Sequence, residues 1–141
     1  MEEAGISIVR ESSLYKSKPW GMDPGEPDFL NKVVMAKTPM SPRELLRNLQ
    51  SIEWKLGRER QPGKVLSRTI DLDILFYDDL VTDSQDLTIP HPRLHLRRFT
   101  LIPLYEVDPG LRHPRLGFSV SELLDKCSDG SAVTKISGPR G

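Results

Sequence analysis

Alternating apolar and polar positions near the start of the chain predict two β-strands. Residues 5–15 (GISIVRESSLY) are rich in β-branched side chains and alternate in part, and residues 29–38 have two valines at their centre. Both features are typical of strands with one buried face. Prolines and glycines punctuate residues 16–27 and exclude regular structure there. We therefore expect an antiparallel pair of strands joined by a long loop.

A helix is predicted immediately after the second strand. Ser41 is a favourable N-cap, a proline occupies the first helical position, and Glu44 completes a capping box. Leucine and isoleucine then recur at helical spacing on one face of the helix. Gly57 is expected to end the helix.

The remaining apolar segments complete an α+β pattern. Residues 99–107 and 120–126 are predicted as short helices, the second with a capping box of its own. Residues 69–77 (TIDLDILFY) and 133–136 are predicted as strands, the latter at a sheet edge. Helices packed on a mainly antiparallel sheet are the expected architecture, with residues 1–141 forming a single domain.

Two carboxylates interrupt the otherwise apolar segment 69–77. Period-two geometry places Asp71 and Asp73 on the same side of a strand, about 6–7 Å apart. Mg²⁺ is usually held by one or two carboxylates together with substrate phosphates, so this pair is a candidate metal site. The alternative is a solvent-facing strand whose aspartates are only hydrated.

A basic loop precedes the two aspartates. Residues 58–67 include Arg58, Arg60 and Lys64 together with a Pro-Gly pair, and Arg68 follows. Cations beside a carboxylate-bound metal suit polyphosphate chemistry, and a mobile loop can close over such a site. The alternative is a hydrated basic turn that makes surface ion pairs.

His91 is flanked by prolines, which fix its backbone direction and favour a positioned ligand contact. Arg97 follows nearby and is suited to phosphate. A structural histidine remains the alternative for His91, and His95 and His113 are expected to be surface residues.

Three aromatic side chains are candidates for the walls of a flat apolar pocket: Trp20, Phe29 and Phe99. Asn31 lies on the same side of its strand as Phe29, where its amide can read the edge of a heterocycle. Ordinary core packing is the alternative for the phenylalanines.

Charge and composition narrow the function further. Lysine plus arginine and aspartate plus glutamate both number 20, so no electrostatic footprint for nucleic acid is present. No apolar run is long enough to cross a bilayer, and no signal peptide opens the chain. Cys127 is the only cysteine, which excludes an internal disulfide and a cysteine-based zinc site. A reducing, cytoplasmic location is expected.

Several of these residues follow the order and nearly the spacing of one known family. The matching segments cover most of residues 6–126, and include P-D-F-L-N at 27–31, R-T-I-D-L-D at 68–73 and L-T-I-P-H-P-R at 87–93. On these segments the chain resembles the 6-hydroxymethyl-7,8-dihydropterin pyrophosphokinase family. The resemblance implies a ferredoxin-like α/β/α sandwich. It also implies ATP-dependent transfer of pyrophosphate to the pterin hydroxymethyl group, with release of AMP, in folate biosynthesis.

The resemblance also implies roles for individual residues. Asp71 and Asp73 would hold two Mg²⁺ ions along the triphosphate of ATP, with Arg58 and Arg68 as the catalytic cations. The residues implied around the nucleotide are Gln50, Glu53, Arg58, Arg60, Arg68, Ile74, Thr88, His91 and Arg97. Those implied around the pterin are Ser17, Lys18, Trp20, Phe29, Asn31 and Phe99. The chain would act on small molecules alone, as a monomer or homodimer, with mobile loops at about 16–27 and 58–67.

The sequence departs from the family pattern in two places. The family usually opens with a strand ending in Gly-Ser-Asn and a first helix, of which this chain is expected to lack the strand and most of the helix. A translation start assigned too late is the favoured explanation, with natural truncation and compensation by another chain or segment as the others. The loop residues Lys64–Ser67 also replace a common Arg-Trp-Gly-Pro run, which is expected to weaken cover over the pterin.

Two other functions fit part of the pattern. A shortened member of the family could be a non-catalytic nucleotide-binding remnant or interaction module that binds nucleotide but not pterin. Asp-x-Asp also holds a divalent metal in nucleotide-sugar glycosyltransferases. Those enzymes predict parallel βαβ units, which the sequence does not show.

Overall fold

The computed structural model describes residues 5–17, 29–59 and 71–137, with the backbone alone at 57–59 and 137. Within these ranges the chain is α+β, as predicted, and every strand pair is antiparallel. The strands are β1 (Ser7–Glu11), β2 (Leu14–Ser17), β3 (Phe29–Asn31), β4 (Val34–Lys37), β5 (Thr82–Ser84), β6 (Leu87–Ile89) and β7 (Val133–Ser137). The helices are α1 (Pro42–Glu59), α2 (Arg98–Val107) and α3 (Val120–Lys126), and a 3₁₀ turn spans Leu94–Leu96.

The predicted pairing of residues 5–15 with 29–38 is confirmed, but each predicted strand is broken into two. The prediction of a loop from residue 16 is wrong for Lys16 and Ser17, because both are paired within β2. β1 pairs with β4, and β2 pairs with β3. The break falls at Ser12, whose hydroxyl accepts the Val33 N–H (2.9 Å) and donates to the Ser13 carbonyl (2.7 Å). A serine hydroxyl that takes backbone partners competes with the sheet ladder, so the register shifts here.

β7 pairs with the other side of β2 and completes a three-stranded sheet in the order β3-β2-β7. The predicted edge strand at 133–136 is therefore confirmed. The hairpin β5–β6 was not predicted from the sequence. Its turn is fixed to α1 by Arg43, whose Nη1 donates to both carboxylate oxygens of Asp86 (2.9 and 2.8 Å).

Helix α1 begins as its sequence predicts. The Ser41 N–H donates to Glu44 Oε1 (3.2 Å) and the Glu44 N–H donates to Ser41 Oγ (3.3 Å), which completes the capping box. The expected end at Gly57 is wrong by two residues, since the helix runs to Glu59, and Arg58 and Glu59, predicted as the start of a loop, are helical. A glycine that keeps helical backbone angles weakens a helix but does not end it.

The predicted strand at 69–77 is wrong in its described part. Residues 71–77 are not paired as a strand with any described segment. Within the described ranges, the Leu72 N–H donates to Glu53 Oε2 (2.6 Å), and the Leu75 carbonyl accepts from the His91 N–H (2.9 Å). A side chain and a loop therefore take two of the backbone groups that a ladder would need.

The main apolar core lies between α2, α3 and the 3₁₀ turn. Its buried members are Leu94, Leu101, Leu104, Val120 and Leu123. Both predicted helices are present, and Ser119 and Glu122 form the capping box of α3. No helix in the described ranges is long and apolar enough to span a membrane.

Candidate functional site

Four residues implied in nucleotide binding line one cavity. Asp73 and Ile74 come from the segment after α1, Thr88 from β6, and His91 from the loop that follows β6. The cavity has a volume of about 260 Å³ and is called the aspartate cavity below. Three separate segments converge here because the β5–β6 turn is tied to α1 and the His91 backbone is tied to Leu75.

Asp71 and Asp73 are both exposed, with half-buried side chains on either side of Asp73. The backbone N–H between them, that of Leu72, donates to Glu53 on α1. Glu53 therefore fixes the strip of backbone that carries both carboxylates. The predicted alternation of side chains is confirmed for residues 71–74, although no strand in the described ranges pairs with them.

The donor set fits Mg²⁺ held jointly with phosphate. Among the described residues, no group of three or more histidine, cysteine, aspartate or glutamate side chains is placed to hold a metal ion. An ion at Asp71 and Asp73 would need its remaining oxygen ligands from elsewhere. Hard cations of this kind commonly take them from water and a bound polyphosphate.

His91 is a half-buried ring at the wall of the aspartate cavity. Burial lowers its pKa; the Asp73 carboxylate raises it in part, and the charges of Arg97 and Arg93 lower it further. The ring is therefore neutral at pH 7. Its Nδ1 accepts the Arg93 N–H (3.2 Å), which places the ring proton on Nε2 as a donor.

A second set of predicted residues meets where β2, β3 and α2 come together. The rings of Phe29 and Phe99 have centroids 6.4 Å apart at an angle of 52°, and Phe29 is 40% exposed. This pair is called the aromatic pair below. Asn31 Nδ2 donates to Ser17 Oγ (3.1 Å) across the β2–β3 ladder.

Arg97 connects the two sets of residues. Its guanidinium carbon lies 5.6 Å from the centroid of the Phe99 ring, and its charge lowers the pKa of His91. Arg97 therefore contacts one member of the aromatic pair and is electrostatically linked to a residue that lines the aspartate cavity. Gln50 is exposed on α1, and the backbone of Arg58 lies in its last turn. Four predicted site residues lie outside the described ranges: Lys18, Trp20, Arg60 and Arg68.

The expectation that His113 is a surface residue is wrong. Its side chain is buried (3% exposed), with the Phe76 ring 5.7 Å and the His95 ring 6.3 Å away. His95 is half-buried, and its Nδ1 has no hydrogen-bond partner in the part of the chain that the structure describes. Both histidines line a second cavity of about 280 Å³, which also includes His91.

The sequence does contain a signal for the local structure around His113, although not for its burial. The tetrapeptide His-Pro-Arg-Leu occurs at 91–94 and again at 113–116. In both copies histidine Nδ1 accepts the arginine N–H two residues on, at 3.2 Å. His113 Nδ1 accepts the Leu116 N–H as well (3.0 Å). The same four residues thus form the same side-chain-to-backbone turn at two places.

We expect His113→Asn to reduce the pH dependence of stability. Burial, then the charges of His95 and Arg115, lower the pKa of His113 below its ordinary value of 6.5. Below pH 6.5 the ring is protonated in the unfolded chain but still neutral in the folded one. Stability therefore decreases as the pH is lowered, until the pH reaches the pKa of the folded state. Asparagine keeps an acceptor for the turn but does not titrate.

The measurement is the melting temperature of both proteins from about pH 7.5 to about pH 5. The unaltered chain should lose more of its melting temperature over this range than the variant does. An equal loss in the two proteins would contradict the assigned role, since His91, whose pKa is also lowered, is present in both.

The chain is similar in sequence to a known family and to several named proteins. The family model described as 7,8-dihydro-6-hydroxymethylpterin-pyrophosphokinase matches residues 1–109. A Synechocystis protein named 2-amino-4-hydroxy-6-hydroxymethyldihydropteridine pyrophosphokinase is 42% identical over 87% of this chain and 62% of its own length. A Haemophilus influenzae protein of the same name is 40% identical over 86% of this chain and 74% of its own. The Pneumocystis carinii folic acid synthesis protein fol1 is 40% identical over 92% of this chain and 17% of its own.

Proposed function

The chain belongs to the 7,8-dihydro-6-hydroxymethylpterin pyrophosphokinase family, and on that premise we propose that it transfers pyrophosphate from ATP to 6-hydroxymethyl-7,8-dihydropterin. The acceptor would be the hydroxymethyl oxygen, and AMP would be released. The observation on which the proposal rests is the convergence of Asp73, Ile74, Thr88 and His91 on one cavity. The chain spans 62% of the length of the Synechocystis relative, so its activity and substrates are proposals.

Asp71 and Asp73 would hold the Mg²⁺ ions that accompany the triphosphate of ATP. Bound there, Mg²⁺ would neutralise phosphate charge. Both carboxylates are exposed on one short strip of backbone, so both are accessible to a bound nucleotide. Glu53 holds that strip in place through the Leu72 N–H.

The nucleotide would lie in the aspartate cavity. Its phosphates would meet the Nε2–H of the neutral His91 ring and the Arg97 guanidinium, while Thr88 and Ile74 would contact the nucleoside. Arg68 would neutralise charge that develops during transfer. The remaining residues proposed around the nucleotide are Gln50, Glu53, Arg58 and Arg60.

The pterin would bind at the aromatic pair. Phe29 on β3 and Phe99 on α2 supply two aromatic rings, and a planar heterocycle can stack on the face of either one. One N–H of the Asn31 amide donates to Ser17. Its carbonyl oxygen and its second N–H can hydrogen bond to the edge of a ligand. Lys18 and Trp20 are proposed to complete this side of the site.

The proposed reaction is an in-line displacement at the β-phosphorus of ATP. A bond forms from the hydroxymethyl oxygen to the β-phosphorus, the bond from that phosphorus to the α,β-bridging oxygen breaks, and AMP leaves with that oxygen. The hydroxyl proton passes to solvent. Positioning the hydroxyl for this attack and neutralising phosphate charge would carry the rate.

We propose that residues 1–141 act as one domain, as a monomer or homodimer in the cytoplasm, on small molecules alone. The equal numbers of acidic and basic residues, 20 of each, support small-molecule substrates over nucleic acid.

The test is the product formed by the purified chain from ATP, Mg²⁺ and 6-hydroxymethyl-7,8-dihydropterin. We expect AMP in equal amount to a pterin whose mass has increased by two phosphoryl groups, with no AMP when the pterin is omitted. Formation of ADP and a singly phosphorylated pterin would contradict the proposed reaction. Binding of nucleotide without binding of pterin would instead favour a non-catalytic nucleotide-binding module.

A further inference from the structure

Glu106 joins helix α2 to strand β2 through three hydrogen bonds. Its Oε1 accepts the Ser13 N–H (2.9 Å) and the Tyr15 hydroxyl (2.7 Å), and its Oε2 accepts the Ser13 hydroxyl (2.8 Å). Burial favours the neutral acid, but the bonds from Tyr15 and Ser13 outweigh it and lower the pKa of Glu106. Burial, the bond to Glu106 and its charge raise the pKa of Tyr15 to about 12. The pair is therefore fixed as a carboxylate and a protonated phenol.

Glu106 lies on the same helix as one member of the aromatic pair. Phe99 precedes it by seven residues on α2, which is two helical turns and places both side chains on one face, about 10 Å apart along the axis. Phe99 contacts Phe29 on β3. Glu106 contacts Ser13 and Tyr15 at the start of β2.

The two contacts act on one strand pair. β2 and β3 are hydrogen bonded in register, with Tyr15 opposite Asn31 and Ser17 opposite Phe29. A displacement of Tyr15 relative to α2 therefore moves Asn31 and Phe29 relative to Phe99. Hydrogen bonds to an ionised, partly buried carboxylate are among the stronger ones, so this anchor is stiffer than the aromatic contact alone.

We propose that Glu106 is a positioning residue for the pterin. Resting on the proposed function, the inference is that its three bonds set the position of Phe29 relative to Phe99, and hence the aromatic surface on which the heterocycle would stack. The residues that line the aspartate cavity lie on other segments, whereas the three hydrogen bonds of Glu106 go to Ser13 and Tyr15. Loss of the anchor should therefore weaken pterin binding and leave nucleotide binding intact.

Two substitutions distinguish the hydrogen bonds of Glu106 from its negative charge. In Glu106→Gln the amide oxygen can take the place of Oε1 and accept from both Ser13 N–H and Tyr15, while the amide nitrogen donates to the Ser13 hydroxyl. All three bonds are then kept. Glu106→Leu has a similar volume and removes all three.

The measurement is the dissociation constant of 6-hydroxymethylpterin, by titration in the presence of Mg²⁺ and a non-hydrolysable ATP analogue. We expect Glu106→Leu to raise it by about tenfold or more, because a small misplacement of contact groups is costly, and Glu106→Gln to stay within about twofold. The dissociation constant of the ATP analogue, titrated separately, should stay within about twofold in both variants.

Arg10 provides the matched control for a purely structural effect. Its Nη1 donates to the Val107 carbonyl at the same end of α2 (3.1 Å), but Arg10 belongs to β1, which pairs with β4. Arg10→Met should lower the melting temperature without changing pterin affinity. A Glu106→Leu variant that is destabilised yet binds pterin normally would overturn the inference, as would equal losses in the leucine and glutamine variants.

If Glu106→Leu does not fold, the same titrations with Tyr15→Phe test the inference, because this variant loses one of the three hydrogen bonds and keeps the aromatic ring. A weaker pterin affinity with unchanged nucleotide affinity would support the inference, and unchanged pterin affinity would overturn it. Absence of pterin binding by the unaltered chain would overturn the proposed function first, and the inference with it.

Discussion

Asp73→Ala is expected to lower the rate of pyrophosphoryl transfer by at least about 100-fold while the protein stays folded. Asp73 lines the aspartate cavity and is exposed. Its loss leaves one proposed protein ligand, Asp71, for ions that must neutralise a triphosphate. Because exposed substitutions change stability little, the melting temperature should stay within about 3 °C of that of the unaltered chain.

The measurement is steady-state turnover as a function of Mg²⁺ concentration, followed by release of AMP. Asp79→Ala is the matched control, since it removes an equally exposed carboxylate from the turn that follows the same segment. The control should keep its activity and its Mg²⁺ dependence. Unchanged turnover in Asp73→Ala would refute the metal assignment, and a collapsed melting temperature would show that Asp73 serves the fold.

The helix starts were predictable because their signals are local. Ser41 and Ser119 each lie three residues before a glutamate, and both form the reciprocal bonds of a capping box. These bonds need only the first turn of the helix itself, so tertiary structure has little influence on them. The end of α1 was less predictable, because Gly57 ends a helix only where the following backbone allows it.

At residues 69–77 the sequence predicted the alternation of side chains but not the absence of strand pairing in the described part. Exposure alternates from Asp71 to Ile74 as the period-two pattern requires. A ladder, however, requires a neighbouring strand, and the described residues provide Glu53 and the His91 backbone in its place. Side-chain alternation followed from the sequence, whereas pairing depended on distant segments.

The candidate site was predictable as a set of residues but not as an arrangement. The convergence of Asp73, Thr88 and His91 depends on the hairpin β5–β6, whose strands are three residues each and too short to give a clear periodic pattern. The burial of His113 likewise depends on the Phe76 and His95 rings, which are far from it in sequence. From the sequence, Glu106 is one polar position on a short predicted helix, and its hydrogen-bond partners Ser13 and Tyr15 are more than 90 residues away.

Arg68→Ala is expected to slow transfer far more than it weakens ATP binding. Arg68 lies outside the described residues, but it precedes Asp71 by only three positions, so their Cα atoms are at most about 11 Å apart. A cation so near the proposed metal ligands would act on charge that develops as the α,β bond breaks. We expect kcat to fall by about 100- to 1,000-fold and the dissociation constant of a non-hydrolysable ATP analogue to rise by less than about fivefold.

Arg68→Lys tests the geometry of that interaction. Lysine keeps the charge but lacks the planar fork that binds phosphate oxygens in pairs, so it should recover only part of the lost rate. Arg47→Ala, at an exposed position on α1, is the control for loss of one positive charge and should leave kcat unchanged. Equal losses of rate and of ATP affinity in Arg68→Ala would mean that the guanidinium holds the bound nucleotide and the transition state alike. The assignment of Arg68 to the transition state would then fail, while that of the two aspartates would stand on its own measurement.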